Sequence, residues 1–281
     1  MFDRWMVMTD LDGTLLNHHS YDYQAAEPAL KKLQASAIPV IFNSSKTYAE
    51  LKSLSGQLEI HHPFIVENGS AIFIPQHYFG ASSASLLPAE ALSIDDFLVI
   101  ITGQDINRLN AFLDHTEPAA INFCRCPLEL AMELTGLNKP EALLARDRQF
   151  SVPLVFDDQQ QQADFQREAE RAGLSCLRGG RFLHLLGRCD KGVSMMVLRE
   201  LYQKIYQQSF GVIALGDGQN DLAMLQQADI GVLVKSPSST ALSSQYPEFI
   251  TTQQQAPAGW AEGVQAALEK INLNRGIQYG R

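Results

Sequence analysis

The sequence predicts an α/β fold in which a parallel-sheet core is interrupted by a second, α+β region. Short apolar runs alternate with amphipathic helical patterns at the start of the 281-residue chain and again after residue 190, which is typical of parallel sheets. The segment between these regions mixes strand-like and helical periodicity. The flanking segments are therefore expected to form one discontinuous domain around an inserted one.

Three strand candidates and two helix candidates follow one another in the first part of the chain. Each strand candidate is a short apolar run, and each helix candidate repeats apolar residues at helical spacing. The strands are expected at Trp5–Thr9, Pro39–Asn43 and Phe64–Glu67, and the helices near Gln24–Ser36 and Thr47–Leu58. All three strands are expected in the parallel sheet.

A run of small residues, Gly80-Ala81-Ser82-Ser83-Ala84-Ser85, predicts a linker or hinge after this first part. Further strands are expected at Phe97–Thr102, Pro153–Phe156, Phe182–Leu186, Val212–Leu215, Ile230–Val234 and Phe249–Ile250, and further helices at Ile106–Leu113, Leu128–Leu134 and Glu141–Arg146. The predicted division is 1–84 and 189–281 for the core and 85–188 for the inserted domain.

Composition excludes several classes of protein. With 22 basic and 31 acidic residues, the formal net charge of -9 argues against a partner held by phosphate neutralisation, such as nucleic acid. Apolar runs fall short of the ~18 residues that predict a membrane span, and the start of the chain has no secretory pattern, so a cytoplasmic location is expected. The four cysteines lack metal or redox spacing and are expected to be packing residues. No obligate protein partner is evident.

Two carboxylates follow the first strand candidate in Asp10-Leu11-Asp12-Gly13-Thr14-Leu15. Residues two apart in extended backbone point to one side, so Asp10 and Asp12 can both project from the strand end where open α/β sheets bind ligands. Mg²⁺ would relieve their repulsion and accept a phosphate oxygen. One carboxylate could attack phosphorus while the other handles the proton of the leaving group. An acidic turn that caps a helix is the structural alternative.

A second acidic cluster, Gly216-Asp217-Gly218-Gln219-Asn220-Asp221, follows the strand candidate Val212–Leu215. A second parallel strand would deliver these carboxylates to the same sheet edge as the first cluster. Asp217 can complete a metal site with Asp10, and Asp221 can hold a water ligand or orient Lys191. A Gly-Asp-Gly sequence alone would indicate only a turn, but the two clusters together favour a catalytic metal site.

These motifs resemble those of the haloacid dehalogenase superfamily of aspartate-nucleophile phosphotransferases. The resemblance implies a Rossmann-like parallel-sheet core with an inserted α+β cap domain that closes over the phosphate site and carries specificity. It implies the catalytic residues Asp10 (nucleophile), Asp12 (general acid/base), Ser44 (phosphoryl binding), Lys191 (cation) and Asp221 (acidic motif). It also implies Mg²⁺ held by the Asp10 carboxylate, the Asp12 backbone carbonyl and Asp217. Ser45 is an adjacent alternative to Ser44.

Shorter stretches are similar to the mannosyl-3-phosphoglycerate phosphatase family within that superfamily. They are Ser44-Ser45-Lys46-Thr47, Pro63–Gly69, Leu134–Leu137, Ala145–Ser151 and Gly179–Leu185. One departure is Val152, where the family usually has glutamate between serine and proline. If that glutamate binds sugar hydroxyls, Val152 weakens the expectation of a mannosyl substrate.

The expected substrate is a small phosphorylated sugar-glycerate, and the similar stretches supply its expected ligands. Arginines can fork a carboxylate, and glycines let a ligand approach backbone amides. The substrate-binding candidates are Ser44, Lys46, Asn68, Arg148, Arg178, Gly180, Arg181 and Lys191. A tight hairpin with exposed arginines is the alternative for residues 178–181, a turn-shaping role is the alternative for Asn68, and surface solvation is the alternative for Lys46 and Arg148. His184, between leucines of a strand, is expected to be a half-buried structural residue.

The sequence therefore predicts a Mg²⁺-dependent phosphatase that transfers the phosphoryl group to Asp10 and then to water. Two other enzymatic functions are consistent with the same motifs: a sugar phosphomutase of phosphomannomutase type, and a phosphatase of other sugar phosphates. A third alternative is a catalytically inactive sugar-phosphate sensor, but a sensor would not need the nucleophile.

Overall fold

The computed structural model describes residues 2–18, 20–80, 86–179 and 181–278. The strands within these ranges are β1 (Arg4–Thr9), β2 (Val40–Phe42), β3 (Phe64–Val66), β4 (Ala71–Pro75), β5 (Leu92–Ile94), β6 (Phe97–Ile101), β7 (Ile121–Asn122), β8 (Ser151–Val155), β9 (Ser175–Gly179), β10 (Phe182–Leu186), β11 (Phe210–Gly216), β12 (Ile230–Lys235) and β13 (Ile250–Gln255). The α-helices are α1 (Glu27–Ala35), α2 (Tyr48–Gln57), α3 (Ile106–Thr116), α4 (Leu128–Thr135), α5 (Lys139–Arg146), α6 (Gln159–Arg171), α7 (Lys191–Tyr206), α8 (Leu222–Gln227), α9 (Ser239–Gln245) and α10 (Ala258–Gln278).

The strands of the described residues form one parallel and two antiparallel sheets. The parallel sheet has the order β13-β12-β11-β1-β2, and the others have the orders β7-β8-β10-β9 and β3-β4-β6-β5. A parallel core combined with an antiparallel α+β region is the fold class that the sequence predicts, which is thus confirmed.

Contacts divide the chain into two compact units. Unit 1 comprises Met1–Ser44, Phe79–Leu86 and Met195–Arg281, and unit 2 comprises Ser45–Tyr78 and Leu87–Ser194. The parallel sheet lies in unit 1, and both antiparallel sheets lie in unit 2. The chain therefore passes from unit 1 into unit 2 and back more than once.

The parallel sheet is buried because its central strands are almost entirely apolar. Residues Met6–Met8 of β1 and Val212–Leu215 of β11 are inaccessible to solvent. Continuous apolar runs of this kind are typical of parallel strands that are covered on both faces. The carboxyl ends of β1, β2, β11 and β12 consequently share one edge, where polar residues can follow each buried run.

Unit 2 has an apolar cluster on one face of its sheet β7-β8-β10-β9. Val152 and Leu154 of β8 pack there with Leu183 and Leu185 of β10. Helices α3 and α6 cover this cluster with the side chains Leu109, Leu113, Phe165 and Ala169. Because side chains alternate along a strand, Ser151 and His184 belong to the opposite face.

The strand at Phe64–Glu67 differs from the prediction. It forms β3, which ends at Val66 and pairs antiparallel with β4 rather than joining the parallel sheet. A short turn connects the two strands, and Glu67, Asn68 and Gly69 all adopt positive φ within it. A hairpin of this kind reverses the chain, so β3 and β4 cannot be parallel neighbours.

The compact units also differ from the predicted domain boundaries. Residues 45–78, which the sequence assigns to the core, pack with residues 87–194, because β4 pairs with β6 along its whole length. The predicted boundary between residues 84 and 85 falls within 81–85, which lie outside the described residues. The functional division into core and cap stays a prediction. Among the described helices, none has both the length and the apolar character needed to cross a bilayer.

Candidate active site

The turn after β1 fixes Asp10 and Asp12 at the end of the parallel sheet. The backbone N–H of Asp10 donates to the carbonyl of Leu215 at 2.9 Å, so pairing with β11 extends to the nucleophile candidate. Gly13 follows with φ +80°, and a Cβ atom there would lie 2.9 Å from Asp217 Oδ2. Glycine at this position therefore lets the two acidic segments approach each other. Asp10 is 5% exposed, and Asp12 is half-buried.

The loop after β11 is held by Asp221. Its Oδ2 accepts hydrogen bonds from the backbone N–H groups of Asp217 and Gly218, each at 3.0 Å. A Cβ atom on Gly216 would lie 2.4 Å from Cβ of Asp221, so the glycine makes room for this buried carboxylate. Asp221 thus shapes the loop that presents Asp217.

Asp10, Asp217 and Asp221 form an acidic cluster, and one carboxylate oxygen from each lies within 4.8 Å of the others. Asp10 and Asp221 are buried and Asp217 is half-buried, so water screens their repulsion poorly. Oxygen atoms at this spacing suit a small divalent cation, whose ligands lie 2.0–2.6 Å from the ion. The chemistry and the spacing of the donor set therefore fit the predicted Mg²⁺.

Hydroxyl groups that the sequence does not single out support this cluster. Thr14 Oγ1 lies 3.2 Å from Asp217 Oδ1 and 3.4 Å from Asp10 Oδ2, so it can donate to either carboxylate. The hydroxyls of Ser236 and Ser238 each donate to the backbone carbonyl of Asp217 at 3.1 Å. Ser236 directly follows β12 and Ser238 comes two residues later, so the rule that ligand groups gather at carboxyl ends of parallel strands applies to both.

A hydrogen-bonded chain also reaches Asp10 from the far end of the sequence. Trp260 Nε1 of α10 donates to Thr9 Oγ1 at 2.9 Å, and that hydroxyl donates to the Asp10 carbonyl at 2.6 Å. Thr9 and Trp260 are fully buried. The backbone of the predicted nucleophile is therefore fixed by α10.

Ser44 lies at the edge of the parallel sheet that carries Asp10. The preceding residue, Asn43, donates its N–H to the Thr9 carbonyl at 2.8 Å, which continues the pairing of β2 with β1. Ser44 is fully buried, whereas Ser45 is half-buried. The predicted phosphoryl-binding role of Ser44 stays a prediction.

Lys191 is the first residue of α7 and has a fully buried side chain. Asp190 precedes it and caps the helix, since its Oδ1 accepts from the Val193 N–H at 2.8 Å. A Cβ atom on Gly69, which has φ +90°, would lie 2.1 Å from the Asp190 carbonyl oxygen. Gly69 therefore permits the close backbone approach that packs the start of α7 in unit 2.

The other substrate-binding candidates lie in different surroundings. Asn68 is buried in the turn between β3 and β4, and Lys46 Nζ lies 3.6 Å from Glu50 Oε1. Arg178 and Arg181 are exposed next to the turn between β9 and β10, and Gly180 lies outside the described residues. Arg148 is buried, and its guanidinium contacts protein groups. The structure thus divides the predicted arginines into one buried and two exposed.

His184 and three of the cysteines have pKa values that are displaced from the neutral range. Burial and, to a smaller extent, the nearby Arg148 charge together lower the pKa of His184 to about 3, so the imidazole is neutral. Burial raises the pKa of the Cys124 and Cys189 thiols to about 11 and that of Cys176 to about 12. Thiols with such pKa values remain protonated near neutral pH.

Comparison with known families places the chain in a class. The family model described as haloacid dehalogenase-like hydrolase matches residues 7–112 and 187–255, which include the strands and loops that carry Asp10 and Asp217. The chain belongs to this family of enzymes.

Curated relatives narrow the class. The chain is 31% identical over 269 residues to a glucosyl-3-phosphoglycerate/mannosyl-3-phosphoglycerate phosphatase of Persephonella marina, covering 95% of this chain and 98% of the relative. It is 35% identical over 277 residues to a protein of the same name from Methanococcoides burtonii, with the same coverage. The chain is accordingly a phosphatase, which is a phosphoric monoester hydrolase, of the haloacid dehalogenase type.

Solved structures share the fold at lower identity. The sucrose-phosphatase of Synechocystis sp. PCC6803, determined with sucrose and phosphate, is 16% identical with a TM-score of 0.62, over 96% of this chain and 98% of that one. A haloacid dehalogenase-like hydrolase of B. subtilis is 18% identical with a TM-score of 0.61, over 92% and 96% of the two chains. These similarities support the fold.

Proposed function

We propose that this phosphatase hydrolyses glucosyl- or mannosyl-3-phosphoglycerate to release inorganic phosphate. The observation that carries its chemistry is the cluster of Asp10, Asp217 and Asp221 at the carboxyl edge of the parallel sheet. The substrate class comes from the two relatives, whose similarity extends over 95% of the chain. A cytoplasmic location remains an expectation.

The acidic cluster would hold Mg²⁺ through the Asp10 and Asp217 carboxylates, together with the backbone carbonyl of Asp12. The ion would offset the negative charge of the cluster and of the phosphate. Asp221 contributes by holding the loop of Asp217 through two backbone hydrogen bonds. Ser236 and Ser238 hold the same peptide from its carbonyl side, so the position of Asp217 is fixed from both directions.

In the first step, an Asp10 carboxylate oxygen attacks phosphorus while the bond from phosphorus to the glycerate oxygen breaks. The carboxyl group of Asp12 gives its proton to the departing oxygen, which becomes the hydroxyl of the glycosylglycerate. The Trp260–Thr9 chain and the Leu215 carbonyl hold the Asp10 backbone, so the attacking group is already positioned.

In the second step, the Asp12 carboxylate accepts a proton from a water molecule that attacks phosphorus. The bond between phosphorus and the Asp10 oxygen breaks, inorganic phosphate leaves, and Asp10 regains its carboxylate. Ser44 and Lys191 are proposed to bind the phosphoryl oxygens. Lys46, Asn68, Gly180, Arg178 and Arg181 remain the proposed ligands of the sugar and glycerate.

Phosphate release from a panel of substrates tests this function. The panel contains glucosyl- and mannosyl-3-phosphoglycerate, glucose 6-phosphate and mannose 6-phosphate, each with Mg²⁺ and with a chelator. We expect the two glycosyl-3-phosphoglycerates to be preferred and the chelator to stop release. A preference for simple hexose phosphates would contradict the proposed substrate.

Asn replacing Asp10 tests the chemistry separately. The Asp10→Asn variant should lose at least about 10⁴-fold in kcat because an amide oxygen is a poor nucleophile. Its far-ultraviolet circular dichroism should match that of the parent. Near-normal turnover by a folded Asp10→Asn variant would rule out Asp10 as the nucleophile.

A further inference from the structure

A second group of charged residues, separate from the acidic cluster, lies wholly inside unit 2. Glu67, in the turn after β3, is fully buried. Its Oε1 accepts from the Gln149 N–H at 2.9 Å, and its Oε2 accepts from the Phe150 N–H at 3.3 Å and the Ser151 hydroxyl at 2.6 Å. A buried carboxylate with this many donors is an organising group.

Arg148 is the cation that accompanies Glu67. Its Nε lies 3.4 Å from Glu67 Oε2 and donates to Ser151 Oγ at 3.0 Å, while its side chain is 5% exposed. Nη1 donates to the Ala145 carbonyl at 3.5 Å, and Nη2 donates to the Ser45 carbonyl at 2.8 Å. Every nitrogen of the guanidinium thus has a protein acceptor.

The targets of Arg148 and Glu67 converge on one short segment, residues 45–47. Arg148 binds the carbonyl of Ser45, and the Glu67 N–H donates to the carbonyl of Lys46 at 3.0 Å. The hydroxyl of Thr47 donates to the carbonyl of Leu144 at 2.9 Å. Three consecutive residues are therefore fixed by side-chain or backbone contacts to residues 67 and 144–148.

We infer that Arg148 is a positioning residue that acts through the Ser45 carbonyl on the adjoining Ser44, rather than a ligand of the glycerate carboxylate. The Ser45 carbonyl lies in the peptide group between Ser45 and Lys46, one residue after Ser44, so a change in its orientation is passed along the backbone to the hydroxyl proposed to bind the phosphoryl group. This inference rests on the proposed function only for that role of Ser44. The exposed Arg178 and Arg181 remain the candidates for the carboxylate.

The two roles predict different substrate dependence. A residue that binds glycerate affects only substrates that carry a carboxylate. A residue that positions Ser44 affects every phosphate ester to a similar degree, including p-nitrophenyl phosphate, which has neither sugar nor carboxylate. It also affects the affinity for inorganic phosphate.

The test uses Arg148→Lys, which keeps the charge beside Glu67 but lacks the planar fork that reaches Ser45, Ser151 and Ala145 together. We expect the KM for p-nitrophenyl phosphate and the KM for glucosyl-3-phosphoglycerate to rise to a similar degree, by about tenfold. Calorimetric titration with inorganic phosphate in the presence of Mg²⁺ should show a similar loss of affinity. Arg148→Met should lose more than Arg148→Lys.

Ser151→Ala provides a milder variant in case Arg148→Lys does not fold. It removes the hydroxyl that links Arg148 Nε to Glu67 Oε2 and should weaken phosphate binding by about threefold. Ser55→Ala is its matched control, since Ser55 is a buried serine of α2 whose hydroxyl has no partner among the described residues. Ser55→Ala should leave phosphate affinity unchanged.

Two outcomes would overturn the positioning role. One is a loss with Arg148→Lys that is confined to glucosyl-3-phosphoglycerate. The other is equal phosphate affinity in Ser151→Ala, Ser55→Ala and the parent. Failure of the proposed function is distinguishable, because a parent enzyme that does not hydrolyse glycosyl-3-phosphoglycerates still allows the p-nitrophenyl phosphate and phosphate-binding measurements.

Discussion

The two units of the molecule treat buried charge in opposite ways. In unit 1, Asp10, Asp217 and Asp221 bring like charges within 4.8 Å of one another at the ends of parallel strands. In unit 2, Glu67 and Arg148 bring opposite charges together, and each group has three further hydrogen bonds to protein groups. The carboxylates of the first arrangement repel one another, which favours the binding of a cation, whereas the opposite charges of the second attract each other.

This difference in charge distinguishes a ligand site, the acidic cluster, from a structural ion pair, Glu67 and Arg148. Repulsion between two carboxylates at such a spacing is of the order of 3 kcal/mol at an effective dielectric constant of about 20. A bound cation, such as the proposed Mg²⁺, would offset this repulsion. The buried ion pair instead becomes costly only when one partner is removed.

The largest effect on stability should come from breaking the pair in unit 2. Arg148→Met leaves Glu67 buried without its cation and should lower the free energy of unfolding by roughly 3–5 kcal/mol. Urea denaturation measures this change. Arg178→Met is the matched control, because Arg178 is exposed and the same substitution there should change stability by less than about 0.5 kcal/mol. Equal effects of the two substitutions would show that the Glu67–Arg148 pair has no special importance.

Removing one charge from the acidic cluster of unit 1 should instead raise the free energy of unfolding. In a chelator, Asp217→Asn should raise the free energy of unfolding by about 1–3 kcal/mol, because one member of the like-charged cluster becomes neutral. Added Mg²⁺ should stabilise the parent by about 2.7 kcal/mol at a hundredfold excess over its Kd and stabilise the variant much less. Asp157→Asn, at an exposed position, should change neither value. If the melting temperature of the parent does not change when Mg²⁺ is added, the result would contradict a metal site.

His184 should make unit 2 sensitive to acid. Its pKa falls from 6.5 to about 3 on folding because it is buried, so below pH 6.5 the unfolded chain binds a proton that the folded chain does not. His184 therefore does not change stability above pH 6.5. As the pH falls from 6.5 toward 3, it lowers the free energy of unfolding by up to about 1.4 kcal/mol for each pH unit. The slope of unfolding free energy against pH between about 6.5 and 5 should be smaller in His184→Gln. Identical slopes would show that His184 does not contribute.

The smallest effect should come from the support of Asp217. Ser236→Ala removes one of two hydroxyl donors to its carbonyl, and Ser238 still supplies the other. We expect Mg²⁺ to bind about threefold more weakly, measured by calorimetric titration. Ser244→Ala, on the exposed side of α9, is the control and should leave the affinity unchanged. A larger loss in the control would point to a general change in this part of the chain.

The acidic cluster was predictable from sequence because local rules place it. Asp10 and Asp217 each follow an apolar run, and parallel strands bring their carboxyl ends to one edge. The start of α6 also follows a local rule, because the Asp158 side chain accepts from two N–H groups of the first turn. Ser236 and Ser238 obey the rule too, but serines are too common for the signal to be noticed without the neighbouring strand.

The buried pair was not predictable, because its partners meet only through tertiary packing. The sequence predicts Arg148 as a substrate ligand or a solvated residue, yet its partners lie at residues 45, 67, 145 and 151. Val152 shows the same limit. It packs in the apolar cluster under α3 and α6, on the face of β8 opposite to Ser151, so the valine suits its surroundings there.

The steric course at phosphorus tests the central claim most directly. Hydrolysis of a chiral, oxygen-isotope-labelled thiophosphate ester reports whether phosphorus undergoes one in-line displacement or two. Transfer to Asp10 and then to water requires two displacements, and so predicts retention of configuration. Inversion of configuration would mean that water attacks the ester directly, and would contradict Asp10 as the nucleophile.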